Sequence, residues 1–258
     1  MNQPLDLSIV IPVYNEEENI PLLLGEIRAA LESRRESYEV ICVDDASTDG
    51  SLAALRRGAA EDPRVRIVRM TRNSGQSAAL AAGFMRARGA LTVTLDADLQ
   101  NDPADIPRLL DALGDNDVIS GIRATRRDDW LRRLSSRVAN RVRSTLLQDS
   151  ISDVGCSLKI YRTELLRWVP PFNGMHRFLP ALVQMYGARV VEMPVNHRPR
   201  IHGEAKYGLH NRLWRGIADL FGVLWLRRRH VDLRVAVDDT PDPSQQALRT
   251  GVEPPPTW

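Results

Sequence analysis

Short apolar segments alternate with amphipathic ones through the first 120 residues of the chain. Runs of β-branched and aliphatic residues predict strands at 7–13, 38–43, 65–70, 91–95 and 117–121. The segments between them have helical patterns, so each pair of strands is connected by a crossover helix. Strands connected in this way form right-handed βαβ units and a mostly parallel sheet. The sequence therefore predicts an α/β fold, a Rossmann-like sheet flanked by helices.

The predicted helices differ in how clearly their limits are marked. The first has one apolar face, made of Ile20, Leu23, Leu24, Ile27 and Leu31. Ser47 or Thr48 is expected to cap the second, and Pro103 suits the start of the fourth. The other elements are an alanine-rich helix at 75–88, a basic amphipathic helix at 128–148, strands at 157–161 and 188–195, and a helix at 211–229. We expect one domain at 1–236 and a polar, proline-rich, disordered tail at 237–258.

The distribution of charge indicates the chemistry of a partner, and the cysteine content indicates the cellular compartment. The 258 residues include 35 Lys and Arg and 33 Asp and Glu, and many arginines gather at 126–143 and 227–229. Such blocks favour an anionic or phosphate-bearing partner, the alternative being a solvated helix face. Cys42 and Cys156 lie in apolar contexts, which predicts buried, reduced thiols in the cytoplasm. No signal peptide is expected after Met1, and no run of about 18 apolar residues predicts a membrane span.

Two carboxylates and a carboxamide follow the fourth predicted strand, at Asp96, Asp98 and Gln100. In an extended segment, residues i and i+2 face the same side, so both carboxylates would point into the crevice at the carboxyl end of a parallel strand. Hard oxygen ligands suit Mg²⁺ or Mn²⁺, and Mg²⁺ is often held by one or two carboxylates together with substrate phosphates. A solvated turn is the alternative for a single Asp-x-Asp motif.

Polar motifs follow the other predicted strands as well. They are Pro12-Val13-Tyr14-Asn15-Glu16, Asp44-Asp45-Ala46-Ser47-Thr48-Asp49-Gly50 and Arg72-Asn73-Ser74-Gly75. Taken singly, each could simply turn the chain. Together with Asp96-Ala97-Asp98, and in this order, they resemble the pattern of the inverting family 2 glycosyltransferases, which have the GT-A fold. The resemblance covers about residues 5–229.

Three motifs in the second half resemble one branch of that family, the polyprenyl-phosphate glycosyltransferases. They are Asp153-Val154-Gly155-Cys156-Ser157-Leu158-Lys159, His176-Arg177-Phe178-Leu179-Pro180-Ala181 and the segment 200–208. The branch includes dolichyl-phosphate mannose synthases and bacterial undecaprenyl-phosphate sugar transferases. Ala205 departs from it, since serine is common there. Many bacterial relatives carry two carboxyl-terminal transmembrane helices, so this chain is expected to be of the short, peripheral type.

The resemblance implies roles for residues of both halves, with a nucleotide-sugar part at about 5–121 and an acceptor part at about 122–229. The metal, Mg²⁺ or Mn²⁺, is expected at Asp96, Asp98 and Gln100. The nucleotide sugar is expected at Pro12, Tyr14, Glu16, Val43, Asp45, Asp96 and Ala97, with Arg200 and Lys206 clamping its diphosphate. The acceptor phosphate is expected at Arg123, Arg132, Arg133 and Ser136. The catalytic group is Asp98, Arg123, Arg200 and Lys206, and His176 is interpreted as a packed histidine outside the site.

The implied reaction is metal-dependent transfer of a hexose, with inversion, from a nucleotide diphosphate sugar to polyprenyl phosphate. A lipid phosphate, with a second pKa near about 6, is already ionised and needs no general base. One alternative is a sugar-hydroxyl acceptor, which a carboxylate base near Asp153 would favour, and another is a non-catalytic nucleotide-sugar-binding regulator. The donor stays open between GDP-mannose, a UDP-hexose such as UDP-glucose, and a modified or acidic sugar. Nucleic acid is not an expected partner.

The last predicted helix indicates where such a protein would work. Its apolar stripe consists of Leu213, Ile217, Leu220 and Leu224, and Trp214, Phe221 and Trp225 widen it. The three arginines at 227–229 follow directly, as expected where a helix end meets anionic headgroups. We therefore expect a protein lying on the cytoplasmic face of the inner membrane without crossing it. The alternative is a final helix packed on the core of its own domain.

Overall fold

The computed structural model describes residues 5–123, 143, 146–147, 151–199 and 209–231. In the last range, side chains are described at 216 and from 218 onward. The chain divides into two units at Arg228, and nearly all of the described residues belong to the first. The predicted tail at 237–258 lies outside the described residues, as does most of the predicted basic helix, of which Arg143, Leu146 and Leu147 are described and are helical.

Strands and helices alternate through the first half as predicted. The strands are β1 (Leu5–Val13), β2 (Tyr38–Asp44), β3 (Val65–Arg69), β4 (Gly89–Thr94), β5 (Val118–Arg123), β6 (Lys159–Arg162) and β7 (Val190–Val195). The helices are α1 (Asn19–Leu31), α2 (Ser51–Glu61), α3 (Gln76–Phe84), α4 (Ile106–Leu113), α5 (Thr163–Leu166), α6 (Leu179–Gln184) and α7 (Leu209–Arg229). Single 3₁₀ turns lie at Pro103–Asp105 and Met175–Arg177.

The strands form one mixed sheet in the order β3-β2-β1-β4-β6-β5-β7. Strand β6 is antiparallel to both of its neighbours, and the other described pairs are parallel. The prediction of a mostly parallel α/β sheet is therefore confirmed. Because β1 lies between β2 and β4, the winding direction reverses there, and open α/β sheets bind ligands at the carboxyl ends of such strands.

The register of β1 accounts for a proline inside a central strand. Strand β4 pairs with β1 only as far as Val10, which lies opposite Thr94. Pro12 comes after that point, where β1 pairs with β2 alone. Its missing N–H therefore leaves no hydrogen bond to β4 unmade. The edge of the sheet beyond Thr94 is open to a ligand.

Apolar side chains pack on both faces of the sheet. The predicted apolar face of α1 is buried on one of them through Ile20, Leu23, Ile27 and Leu31. Helix α3 and the helices after β6 pack against the other face. Cys42 and Cys156 are buried and free, which confirms the predicted reduced thiols.

Two local predictions are wrong. Neither Ser47 nor Thr48 caps α2, because the helix begins at Ser51 after Gly50. Their hydroxyls bind the loop after β1 instead. Strand β4 ends at Thr94, so Asp96 and Asp98 lie in a turn and do not share a strand face. The two carboxylates come close because the chain turns.

The apolar side chains of the predicted stripe on α7 lie in two environments, the core and the solvent. Leu220 and Leu224 pack against the core beside the buried Val223, so the prediction that they face a membrane is wrong. Phe221 and Trp225, one helical turn apart, are 64% and 62% exposed. No helix in the described part of the chain is long and apolar enough to span a bilayer.

Candidate active site

Left-handed backbone marks the carboxyl ends of the four consecutive strands β1 to β4. After them, positive φ angles occur at Asn15 (53°), Ala46 (56°), Gly75 (87°) and Leu99 (59°). Only Gly75 adopts this conformation without steric cost, and each of the others costs about 1 kcal/mol or more. Such strain persists only where surrounding contacts fix the backbone, and it concentrates at ligand sites. All four positions lie at the same edge of the sheet.

Side chains connect the loops after β1 and β2. The Asn15 side chain donates to Thr48 Oγ1 over 3.2 Å and accepts from the Thr48 N–H over 2.8 Å. Ser47 Oγ accepts the N–H of Asn15, and a Glu17 carboxylate oxygen accepts the N–H of Gly50. These bonds hold the left-handed residue Asn15 in place. The two loops therefore form one rigid unit.

Asp45 fixes the start of α3. Its two carboxylate oxygens accept the backbone N–H groups of Ser74 and Gly75 over 2.8 and 2.7 Å. The carboxylate is buried at 3% exposure, so both bonds are shielded from water. The first turn of α3, which begins at Gln76, is consequently held against the end of β2.

Gln76 joins that turn to Asp96. The Gln76 amide donates to an Asp96 carboxylate oxygen over 2.7 Å, and the Asp96 N–H donates to Ser157 Oγ over 3.2 Å. Burial, together with the nearby charge of Asp98, raises the pKa of Asp96 to about 6. Two carboxylates this close, without a cation between them, disfavour each other's ionised form.

The donor set at this turn fits a divalent cation bound jointly with a substrate. Asp98 is nearly buried, and it accepts the N–H of Gln100 over 3.2 Å. Asp96 and Asp98 could supply two hard oxygen ligands, and Gln100 a third from the same turn. No group of three His, Cys, Asp or Glu that could hold a metal by itself is present among the described residues. Mg²⁺ commonly uses one or two carboxylates and completes its shell with phosphates and water.

A cavity of about 1080 Å³ opens beside Asp96. The residues that line it are 73–76 and Leu80 before and within α3, Thr94–Asp96, 154–157 with Lys159, then Asn173, Gly174, His176, Arg177 and Leu179, and Asp219 of α7. The volume matches pockets that take small-molecule ligands. Of the three predicted metal ligands, Asp96 lines the cavity, and Asp98 and Gln100 are not among the residues that line it.

Lys159 is a buried cation in the wall of this cavity. Its ammonium group donates to the carbonyl of Cys156. Burial lowers the pKa of Lys159, and the carboxylates of Asp153 and Asp96 act in the opposite direction. Lys159 therefore places a buried amino group next to the carboxylate turn.

Residues 173–177 form a wall that sequence reasoning left out of the site. Ser77 Oγ, in the first turn of α3, accepts the N–H of Gly174 over 3.0 Å and lies 2.7 Å from His176 Nδ1. Burial, with the charges of Arg177 and Lys159, lowers the pKa of His176 to about 4. The imidazole is therefore neutral at physiological pH. No spacing rule finds this contact, because Ser77 and His176 are 99 residues apart.

Arg123, a predicted acceptor ligand, is held by Asp153. Its Nε and one terminal nitrogen donate to the two Asp153 oxygens over 2.8 and 2.7 Å, and its backbone N–H donates over 3.1 Å. Asp153 also accepts the N–H of Gly155. Neither residue is among those that line the cavity.

The remaining predicted residues fall into three groups. Pro12, Tyr14 and Glu16 follow or end β1 and are partly exposed. Val43 and Ala97 are buried at 0% and 3% exposure, and their contact with the nucleotide stays a prediction. Arg132, Arg133, Ser136, Arg200 and Lys206 lie outside the described residues.

Residues 8–168 match the model of the family described as Glycosyl transferase family 2. A dodecaprenyl-phosphate galacturonate synthase of Rhizobium johnstonii is 41% identical over 232 residues, which are 88% of this chain and 68% of that protein. An undecaprenyl-phosphate 4-deoxy-4-formamido-L-arabinose transferase of Edwardsiella ictaluri is 43% identical over 206 residues, 79% of this chain. The chain spans 63% of the length of that transferase.

Two solved structures have the same architecture. A Pyrobaculum calidifontis mannosyltransferase in complex with GDP-Man and Mn²⁺ aligns with a TM-score of 0.59 at 20% identity, over 97% of this chain and 80% of that one. A Mycobacterium tuberculosis glucosyl-3-phosphoglycerate synthase with Mn²⁺, UDP and phosphoglyceric acid aligns with a TM-score of 0.66 at 18% identity, over 90% and 82%. These likenesses confirm the predicted fold class.

Proposed function

Because the chain belongs to glycosyl transferase family 2, we propose that it transfers one hexose from a nucleotide diphosphate sugar to a polyprenyl phosphate, with inversion. An oxygen of the acceptor phosphate attacks the anomeric carbon, and the bond from that carbon to the diphosphate breaks. The nucleoside diphosphate leaves with the electron pair of that bond. The observation that carries the proposal is the carboxylate turn of Asp96 and Asp98 beside a ligand-sized cavity at the carboxyl end of β4.

Asp96, Asp98 and Gln100 would hold the Mg²⁺ or Mn²⁺ that the reaction uses. When bound, the metal neutralises negative charge on the diphosphate as a Lewis acid. The Gln76 amide orients the Asp96 carboxylate through a hydrogen bond to one of its oxygens. The Mn²⁺ complexes of the two structural relatives support a divalent cation at this turn.

Arg200 and Lys206 are proposed to clamp the diphosphate. The chain that leads to them starts at the metal turn, since the Arg198 N–H donates to the Gln100 carbonyl over 2.8 Å and His197 pairs with Asn101. The Arg198 side chain binds Glu26 and Asp102, so this anchor is firm. Two cations just beyond a fixed point at the metal turn suit a diphosphate bound there.

The hydrogen bonds of Asp153 favour a phosphate acceptor over a hydroxyl acceptor. A hydroxyl must lose its proton as it attacks, and a nearby carboxylate base would take it. Both oxygens of Asp153 already accept hydrogen bonds from Arg123, so this carboxylate acts as an anchor. Arg123, Arg132, Arg133 and Ser136 are proposed to face the acceptor phosphate, with Arg123 oriented by Asp153.

The decisive assay measures release of nucleoside diphosphate from GDP-mannose, UDP-glucose and UDP-glucuronate. Release is expected only when both polyprenyl phosphate and a divalent cation are present. Equal turnover with free polyprenol would contradict the phosphate acceptor and favour the hydroxyl alternative. Binding of a nucleotide sugar without turnover under every condition would favour a non-catalytic regulator.

We also propose that α7 brings the protein to the cytoplasmic surface of the inner membrane, where its lipid acceptor lies. Phe221 and Trp225 are exposed side by side, and Arg228 and Arg229 follow on the same helix. Aromatic side chains favour the membrane interface, and each basic residue near an anionic surface contributes about 1 kcal/mol.

Flotation with anionic liposomes tests this proposal. The double variant Phe221→Ala/Trp225→Ala should lose most of the binding of the wild type. Leu22→Ala/Met85→Ala, which removes two exposed apolar side chains of α1 and the end of α3, is the matched control and should float normally. If the wild type stays in solution with every lipid composition, the membrane proposal is wrong.

A further inference from the structure

One hydroxyl of α3 contacts the wall formed by residues 173–177 at two points. Ser77 is buried, and its Oγ contacts both the Gly174 N–H and His176 Nδ1. Gly174 has a φ of 99°, which allows the sharp turn that brings His176 back towards α3. The imidazole is therefore fixed in position by residues that have no other part in the proposed reaction.

The same contacts define which ring nitrogen faces a ligand. Because Ser77 Oγ accepts the Gly174 N–H, its own proton is available to Nδ1, and a neutral ring then carries its proton on Nε2. Within the described part of the chain, Ser77 is the one hydrogen-bond partner of His176. Since His176 lines the cavity, Nε2–H is a donor available there.

Two consecutive residues of α3 contact His176 and the carboxylate turn. Gln76 binds Asp96, and Ser77 binds His176. Asp96 and His176 both line the same cavity, so one ligand bound there can contact both side chains. A diphosphate at Asp96 would place its sugar in the cavity, and a neutral N–H suits a sugar hydroxyl better than a phosphate, which cations bind more strongly.

We propose that His176 binds a hydroxyl of the donor sugar through Nε2, and that Ser77 positions the ring for this contact. The inference rests on the proposed function, since it requires a nucleotide sugar with its diphosphate at the carboxylate turn. It assigns to His176 a contact with the donor sugar and none with the acceptor. Loss of the contact should therefore weaken binding of the intact nucleotide sugar and spare the free nucleoside diphosphate.

Calorimetry on the full chain with Mn²⁺ separates these ligands. The probes are GDP-mannose against GDP, and UDP-glucose and UDP-glucuronate against UDP. In His176→Asn, the amide takes the place of Nδ1 and no group takes the place of Nε2. The sugar-dependent affinity is the ratio of the affinity for the nucleotide sugar to that for the free nucleoside diphosphate. It should fall about fivefold, which corresponds to the loss of one neutral hydrogen bond. In His176→Gln, whose amide reaches the Nε2 position, most of that gain should return.

Two further variants keep the test decisive. Ser77→Ala frees the ring and should lower the sugar-dependent affinity even if the His176 variants fold poorly. His230→Asn, an exposed histidine at the end of α7, is the matched control and should bind all probes as the wild type does. Equal weakening of the sugar and sugar-free forms, or a wild type that gains no affinity from any of the sugars, overturns the inference.

Failure of the proposed function gives a different result. If the sugar-dependent affinity responds to His176 but polyprenyl phosphate never triggers nucleoside diphosphate release, the acceptor proposal is wrong and the sugar contact stands. If none of the probes binds the wild type, the proposed function is wrong and this inference falls with it.

Discussion

Replacing Asp45 with asparagine should destabilise the ligand-free protein and also weaken donor binding. The carboxylate accepts the N–H groups of Ser74 and Gly75 at 2.8 and 2.7 Å in a site that is 3% exposed. An asparagine keeps one acceptor and turns an NH₂ group towards the second N–H. A lost charge-assisted bond and an unsatisfied buried donor together cost about 2–4 kcal/mol.

Asp49→Asn is the matched control. Asp49 also accepts two backbone N–H groups, from Ser51 over 2.9 Å and Glu17 over 3.3 Å, but it is exposed. Water can replace the lost partner there, so we expect a cost of about 1 kcal/mol or less. Both variants are measured by urea unfolding without ligand, followed by the KM for the nucleotide sugar.

The result also distinguishes two roles for Asp45. If the carboxylate only contacted the nucleotide, Asp45→Asn would raise the donor KM and leave the free energy of unfolding unchanged. If it holds the first turn of α3, both change, because Gln76 and Ser77 of that turn hold Asp96 and His176. Unfolding free energies of the two variants that agree within about 0.5 kcal/mol would refute the anchoring role.

Three other predictions concern the metal turn, the acceptor and the base of the sheet. Asp98→Asn should reduce turnover at least about 100-fold without lowering the unfolding midpoint of the metal-free protein, and full activity in excess chelator would contradict it. Arg123→Gln should raise the KM for polyprenyl phosphate more than that for the nucleotide sugar, and equal effects would count against the assignment. Burial of Glu39 opposes ionisation, but hydrogen bonds from Arg88 and Arg66 lower its pKa overall. The folded pKa is depressed, so its stabilisation is present above pH 4.5 and is lost as the pH falls through the lower folded value. Glu39→Gln should flatten that acid limb of a pH series of unfolding measurements.

The donor half could be predicted from the sequence because parallel strands bring their carboxyl ends to one edge. Once β1, β2 and β4 were identified by their apolar runs, the motifs after them had to lie together. The detailed roles of the hydroxyl groups in these motifs could not be predicted in the same way. Ser47 and Thr48 are residue types that often cap helices, yet their hydroxyl groups form hydrogen bonds with Asn15. These bonds stabilise the left-handed backbone of Asn15, and α2 begins without a side-chain cap.

The wall of the cavity could not be predicted for a different reason. The contact between Ser77 and His176 joins segments that no periodicity connects, and an isolated histidine is more often a packed residue than a ligand. The orientation of α7 could not be predicted because Leu220, Phe221 and Leu224 are all apolar, and hydrophobicity alone does not distinguish a core-facing residue from an exposed one. Only the position of Val223 against the core settles the helix orientation.

The carboxylate turn should make the protein's stability depend on metal and on pH together. Burial and the charge of Asp98 raise the pKa of Asp96 to about 6, above its unfolded value, so ionising this group costs folding free energy as the pH rises through 6. A divalent cation binds the ionised pair and so offsets that cost only where Asp96 is deprotonated. We therefore expect Mn²⁺ to raise the unfolding temperature more at pH 7.5 than at pH 5.5. In Asp98→Asn the difference between the two pH values should shrink, because one ligand and the repulsion are both removed. An Mn²⁺ effect that is equal at the two pH values would mean that the metal does not bind at Asp96.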